Sequence, residues 1–213
     1  YGVNAQFLSM DMPAVNAYKD GVVSRLHKGL QGLVKSRNIT YVQGYGRLVS
    51  PNTVEVNGEK YTVKNIVLAT GSYARTLPGL DIDGKRIITS DHALTLDYVP
   101  KSVIVLGGGV IGCEFASVWK SFGADVTIVE ALPHLVALED ESSSKQLERA
   151  FRKRGINFEL GTRFQAALVT DESVKVTLEN GKEFVADLLL VAVGRGPVSA
   201  NLGYEEQGIT MER

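Results

Sequence analysis

The feature that most constrains this chain is a run of glycines between two apolar segments: Val103-Ile104-Val105-Leu106-Gly107-Gly108-Gly109-Val110-Ile111-Gly112-Cys113-Glu114. The spacing Gly107-x-Gly109-x-x-Gly112 alone is weak in a chain with 22 glycines. Its setting sharpens it. Residues 102–106 read as a buried strand, the residues after the glycines as a helix to about Phe122, and 125–129 as a second strand. A dinucleotide-binding unit places an acidic residue about 20 positions after its first glycine. Glu130 lies 23 positions after Gly107.

Each residue of that unit has a physical task. Gly107 permits the tight turn, Gly109 lets a pyrophosphate approach the backbone, and Gly112 lets helix and strand pack closely. The helix N-terminus at Val110 and Ile111 offers unpaired N–H groups to phosphates. Glu130 can accept hydrogen bonds from both ribose hydroxyls but would repel a 2′-phosphate, and 131–144 contains no Lys or Arg. That combination predicts NAD(H) rather than NADP(H). Glu114 has two readings, a first-turn acid favoured by the helix dipole or a partner for the nicotinamide end. Cys113 reads as a small buried packing residue. His27, His92 and His134 belong to no acid–nucleophile pattern, and Arg149, Arg152, Lys153 and Arg154 read as a solvated helix face.

The rest of the chain supplies the context. Spacings of three and four among Val15, Tyr18, Val22, Leu26, Leu30, Leu33 and Val34 predict a long amphipathic helix from Asp11 or Pro13 to about Arg37. Short β runs are expected at 39–42, 53–56, 60–63 and 65–70, with Asn57-Gly58 as a hairpin turn. The stretch 73–100 reads as loop, with a short helix over 90–96 capped by Ser90 or Asp91. A second amphipathic helix is expected over 141–154, then a strand at 156–160. An antiparallel meander should follow at 163–169, 174–178 and 183–185, and a doubly buried strand at 188–193. Strands alternating with helices require parallel pairing. The expected class is α/β, a Rossmann-like FAD/NAD(P)-binding fold with a parallel sheet, flanking helices and a three-stranded antiparallel meander.

Composition narrows the partners. With 44% hydrophobic residues the chain can build a core, and 23 basic against 24 acidic side chains leave no basic excess for nucleic acid. The longest aliphatic stretch, 188–193, falls far short of the ~20 residues a bilayer span needs. One cysteine allows neither an internal disulfide nor a Cys-rich metal site, so no metal is expected, and a cytosolic setting follows. A first residue of Tyr1 without a leader reads as an excised piece of a longer chain.

An ordered series of motifs then gives a specific resemblance. Ala69-Thr70-Gly71-Ser72, Leu77-Pro78-Gly79, the glycine turn with Glu114, and Val193-Gly194-Arg195-Gly196-Pro197 occur in the order seen in pyridine nucleotide–disulfide oxidoreductases. The chain resembles that family over nearly its whole length, and within it the branch that oxidises dihydrolipoamide. The resemblance implies an electron path from dihydrolipoamide through an active-site disulfide and FAD to NAD+. It assigns residues 107–114 and Glu130 to NAD, Phe164 to the adenine, Gly194 to the nicotinamide half, and Val110 to gating nicotinamide access. Gly46, Thr70, Gly71 and Ser72 match FAD-contacting positions.

The family's first glycine fingerprint, its Cys-x4-Cys pair and its C-terminal His–Glu base pair are absent from this sequence. The implied organisation is therefore a partial FAD segment over 1–80, an NAD domain over 81–203 and a return to the FAD domain at 204–213. No catalytic residue is expected in this chain, and FAD is expected to be lost from it. Implied partners of the whole protein are a second copy and the lipoyl-bearing acyltransferase of a 2-oxo acid dehydrogenase complex. Two other readings stay open: another NADH-dependent flavoprotein disulfide reductase, such as a mercuric or coenzyme A disulfide reductase, and a non-catalytic NAD(H)-binding module.

Overall fold

The chain's own alternation of strand and helix signals sets the order of elements found in a computed structural model, which describes residues 2, 4, 6 and 8–212. In chain order these are α1 (Met12–Ser36), β1 (Gly46–Ser50), β2 (Thr53–Val56), β3 (Glu59–Thr62), β4 (Ser72–Ala74), β5 (Ile87–Ile88), α2 (Ser90–Ala93) and β6 (Ser102–Leu106). They continue with α3 (Val110–Phe122), β7 (Asp125–Glu130), α4 (Glu141–Lys153), β8 (Asn157–Leu160), β9 (Phe164–Val169), β10 (Val174–Leu178), β11 (Glu183–Ala186), β12 (Leu188–Val191) and β13 (Arg195–Pro197). The chain divides into two compact units, one of Tyr1–Tyr18 with Ala74–Arg195, the other of Lys19–Tyr73 with Gly196–Arg213.

The first unit is built on a five-stranded parallel sheet in the order β5-β12-β6-β7-β8. Its central strands are mostly apolar, β12 wholly so and β6 after Ser102, and the alternation of side chains sorts them onto two faces. Val103, Val105, Ile128, Leu188 and Leu190 pack with Cys113, Ala116 and Trp119 of α3 and Phe151 of α4. Ile104, Leu106, Val129, Leu189 and Val191 pack instead with Val174, Val176 and Leu178 of β10. Helices thus cover one face, and the antiparallel sheet β11-β10-β9 covers the other. In β10 only Val174, Val176 and Leu178 are fully buried, the period of two expected of a half-covered sheet.

Helix boundaries follow local chemistry. Gly123 and Gly155, both in left-handed backbone, close α3 and α4. Arg154 donates to the Ser117 carbonyl and to the Ser117 and Ser121 hydroxyls, joining the end of α4 to α3. Arg152 lies over the Phe158 ring and pairs with Glu148. Two members of the basic run therefore bind their neighbours rather than face solvent alone. The helix expected over 90–96 is only Ser90–Ala93, with Thr89 at its cap; the Thr89 N–H donates to His92 Nδ1 at 3.3 Å. Thr89 thus takes the cap position one residue before Ser90.

In the second unit, β1, β2 and β3 form an antiparallel meander. Asn57 and Gly58 both adopt positive φ, the backbone of a tight hairpin turn. Leu48, Leu202 and Tyr204 form its small core. Two expected strands do not form. Residues 39–42 and 65–70 carry β-prone side chains, but neither run has a pairing partner among the described residues, and Tyr41 (76%) and Val67 (88%) stand exposed. A strand needs a neighbour for its backbone groups. The first strand is instead β1, paired to β2 through Gly46↔Val56 and Leu48↔Val54. The long helix α1 forms as expected, yet Met12 is its one buried residue; Tyr18, Leu26, Leu30 and Leu33 are exposed.

Candidate dinucleotide site

Three parallel strands end together at the carboxyl edge of the sheet, and a cleft opens there. β6 ends at Leu106, β7 at Glu130 and β12 at Val191. Since the chain leaves β6 for β7 on one side and returns as β12 on the other, this edge is a topological switch point, where open α/β sheets bind ligands. The cleft has a volume of about 580 Å³ and is lined by Gly107, Gly109, Glu130, Phe164, Val193 and Gly194, among others.

The glycines differ in what they make room for. A Cβ on Gly107 would collide with the Ala192 carbonyl oxygen, and Gly107 has φ +108°, which already excludes most side chains. A Cβ on Gly112 would collide with the Gly107 carbonyl oxygen. Both glycines are required by the protein's own packing. At Gly109 an added Cβ would meet nothing within 4 Å, although φ is an ordinary −73°. That open face borders the cleft and precedes the first turn of α3, whose leading N–H groups have no partner within the helix. With the positive end of a 13-residue helix behind it, the place is suited to a phosphate.

Glu130 is fixed before any ligand arrives. Its Oε2 accepts the Gly108 N–H at 2.5 Å and its Oε1 accepts the Leu132 N–H at 2.8 Å. The buried Thr162 donates its N–H to the Glu130 carbonyl at 3.3 Å. A carboxylate offers about four acceptor positions, so both oxygens keep capacity for ribose hydroxyls.

Five of the residues expected to bind NAD therefore line one cleft: Gly107, Gly109, Glu130, Phe164 and Gly194. The remainder support or flank it. Gly108, in the middle of the turn, is buried, Ile111 is half-buried, and Gly112 and Cys113 are buried. Val110 and Glu114 are exposed on α3 and do not line the cleft. Burial pushes the Cys113 thiol up to about 12, with the negative charges of Glu130 and Glu114 adding to it; its Sγ donates to the Gly108 carbonyl at 3.3 Å.

The sequence reading missed two contributors. Arg163 lines the cleft but falls outside 131–144, where a basic residue was sought; its position directly before Phe164 was the available signal. The segment 132–138 also wraps the glycine turn. Leu132 and Leu138 are exposed at the rim, while Leu135 is fully buried, its Cδ2 at 2.7 Å from where a Gly108 Cβ would stand. In the second unit, Thr70 donates to the Val198 carbonyl and accepts from the Tyr204 hydroxyl, and Gly71 has φ +82° with open space around it. Gly46 opens β1.

Comparison with known proteins bears on family and fold. A family model described as pyridine nucleotide-disulphide oxidoreductase matches residues 4–213. The chain is 37% identical to the mitochondrial dihydrolipoyl dehydrogenase of Pisum sativum and 38% identical to that of Schizosaccharomyces pombe, in each case over 100% of this chain and 44% of the relative. It is also 37% identical to the leghemoglobin reductase of Glycine max, covering 43% of it. The chain thus spans less than half the length of these relatives. Among solved structures, LpdA from Mycobacterium tuberculosis superposes with a TM-score of 0.87 at 26% identity, over 97% of this chain and 48% of that one. The HOCl-induced flavoprotein disulfide reductase RclA from Escherichia coli gives 0.82 at 28% identity, over 95% and 47%.

Proposed function

The chain belongs to the pyridine nucleotide-disulphide oxidoreductase family, and from that premise we propose that its parallel-sheet unit is the NAD(H)-binding part of a dihydrolipoamide dehydrogenase. One observation carries the reading: of the three motif glycines, the one whose missing side chain opens the cleft is Gly109, beside Glu130. Bound NAD+ supplies the hydride-accepting chemistry, which belongs to the cofactor; the protein supplies orientation and electrostatics. Gly109 and the N-terminus of α3 receive the pyrophosphate. Glu130 holds the adenosine ribose, Phe164 flanks the adenine, and Gly194, at φ +115° with no atom within 4 Å of a built Cβ, leaves backbone accessible to the nicotinamide half.

The residues present fit NAD(H) more fully than FAD. Gly46, Thr70, Gly71 and Ser72 are the FAD positions of the family carried here, and the one cysteine, Cys113, is buried in α3 and cannot form a redox disulfide within the chain. The 213-residue chain accordingly binds NAD(H) without oxidising dihydrolipoamide. The whole protein would work as a homodimer serving the lipoyl-bearing acyltransferase of a 2-oxo acid dehydrogenase complex. A lone reduced thiol suits a reducing compartment such as the cytosol; the Pisum and Schizosaccharomyces relatives carry mitochondrial names.

A second reading, a flavoprotein disulfide reductase acting on another substrate, is supported by the likeness to RclA. The 37–38% identity to dihydrolipoyl dehydrogenases favours the first. Calorimetric titration of the chain should show NADH binding tighter than NADPH; heat from neither would overturn the assignment. Dihydrolipoamide-driven NAD+ reduction by the chain alone would overturn its inactivity.

A further inference from the structure

Among the described residues only Thr89, Ser144, Glu148 and Thr162 are buried polar or charged side chains. Ser144 and Glu148 stand one helical turn apart on α4, and between them they hold two adjacent residues, Leu135 and Val136. Glu148 Oε1 accepts the Leu135 N–H at 3.2 Å, and the Ser144 hydroxyl donates to the Val136 carbonyl at 3.4 Å. Val136 has φ +45°, an uncommon backbone for a β-branched residue. In that conformation its N–H donates to the Gly108 carbonyl at 2.7 Å.

The peptide bond is planar and trans. Fixing the Gly108 carbonyl therefore fixes the direction of the Gly109 N–H, which shares its peptide plane. We infer that Glu148, with Ser144, is a positioning residue for the dinucleotide turn: it holds Leu135 and Val136 so that the Gly108–Gly109 peptide stands ready for the cofactor's phosphates. This rests on the NAD(H) reading above. A buried carboxylate left with one exposed counter-ion, Arg152, and one backbone donor gains little for stability alone. Holding a ligand-binding peptide accounts for its place.

The test is NADH affinity of the 213-residue chain, measured well below its melting midpoint, alongside amide exchange in the 131–140 segment. Glu148→Ala should raise the Kd for NADH about tenfold, the scale of one misplaced hydrogen bond, and speed exchange at Leu135 and Val136. Glu148→Gln retains an acceptor for the Leu135 N–H and should restore affinity. Arg152→Ala removes the outward partner of Glu148, together with the contact on Phe158, and should leave Kd unchanged. If Glu148→Ala does not fold, Glu148→Asp, one methylene short of the Leu135 N–H, takes its place with the same expected rise. A folded Glu148→Ala or Glu148→Asp chain that binds NADH as tightly as the parent overturns the inference, since a merely stabilising residue would lower the melting midpoint and leave Kd alone. Failure of the parent chain to bind NADH overturns the functional reading instead.

Discussion

Glu130 Oε2 accepts the Gly108 N–H at 2.5 Å, tying the last residue of β7 to the middle of the glycine turn. The carboxylate is thus part of the turn's own structure as well as the contact proposed for the ribose. Glu130→Ala should weaken NADH binding by roughly 10- to 100-fold, the loss expected of charge-assisted hydrogen bonds worth about 1.5–3 kcal/mol. Fluorescence titration with NADH checks this; an unchanged Kd would contradict it.

Arg163 borders the same cleft. With Glu130 removed, no carboxylate there opposes a 2′-phosphate, and a guanidinium is well suited to receive one. Glu130→Ala should therefore bind NADPH better relative to NADH than the parent does. Adding Arg163→Ala should abolish that gain. If the double variant keeps it, another group receives the phosphate.

The three motif glycines should part company on alanine substitution. Gly107→Ala and Gly112→Ala drive a methyl into backbone carbonyl oxygens, and each should cost about 3 kcal/mol or more. Gly109→Ala should cost less than about 1 kcal/mol, as a weaker helix cap, yet lose at least about tenfold in NADH affinity. Urea denaturation and calorimetry measure the two effects separately.

Cys113 should resist alkylation in the folded chain and react readily when unfolded. Burial, then Glu130 and Glu114, raise its thiol from 9.0 to about 12. The folded state therefore keeps a proton that the unfolded state releases, and stability from this group falls as pH rises from 9.0 towards 12. The stability difference between the parent and Cys113→Ala should accordingly shift against the parent between pH 8 and 11. A constant difference would refute the thiol's role.

Asp83 behaves in the opposite sense. Burial favours its neutral form, but the amides of Lys85, Ile87 and Arg86, together with the Lys85 charge, outweigh it and hold the carboxyl below its ordinary 3.8. Its contribution is present above that value and disappears as pH falls through the lower folded one. Asp83→Ala should cost about 1–2 kcal/mol near neutrality, and the gap should close in acid.

The parallel-sheet unit was legible because its determinants are local. An apolar strand, a glycine turn and an acid at the next strand's end each leave a mark within a few residues, and they meet in one cleft. Residues 39–42 and 65–70 were not legible as loops, because strand formation depends on a partner that a linear pattern does not display. Arg163 and the Glu148–Leu135 contact escaped for a related reason. Their relevance comes from an adjacent strand and from a helix packed behind a loop, both long-range relations.

The unequal crowding around the three glycines also bears on descent. Gly107 and Gly112 answer to the polypeptide's own carbonyl oxygens, so any descendant keeping this fold would be held to them whatever it bound. Around Gly109 the protein's own atoms leave open space. On the NAD(H) reading proposed above, a lineage that abandoned the cofactor would be free to drift at that position first.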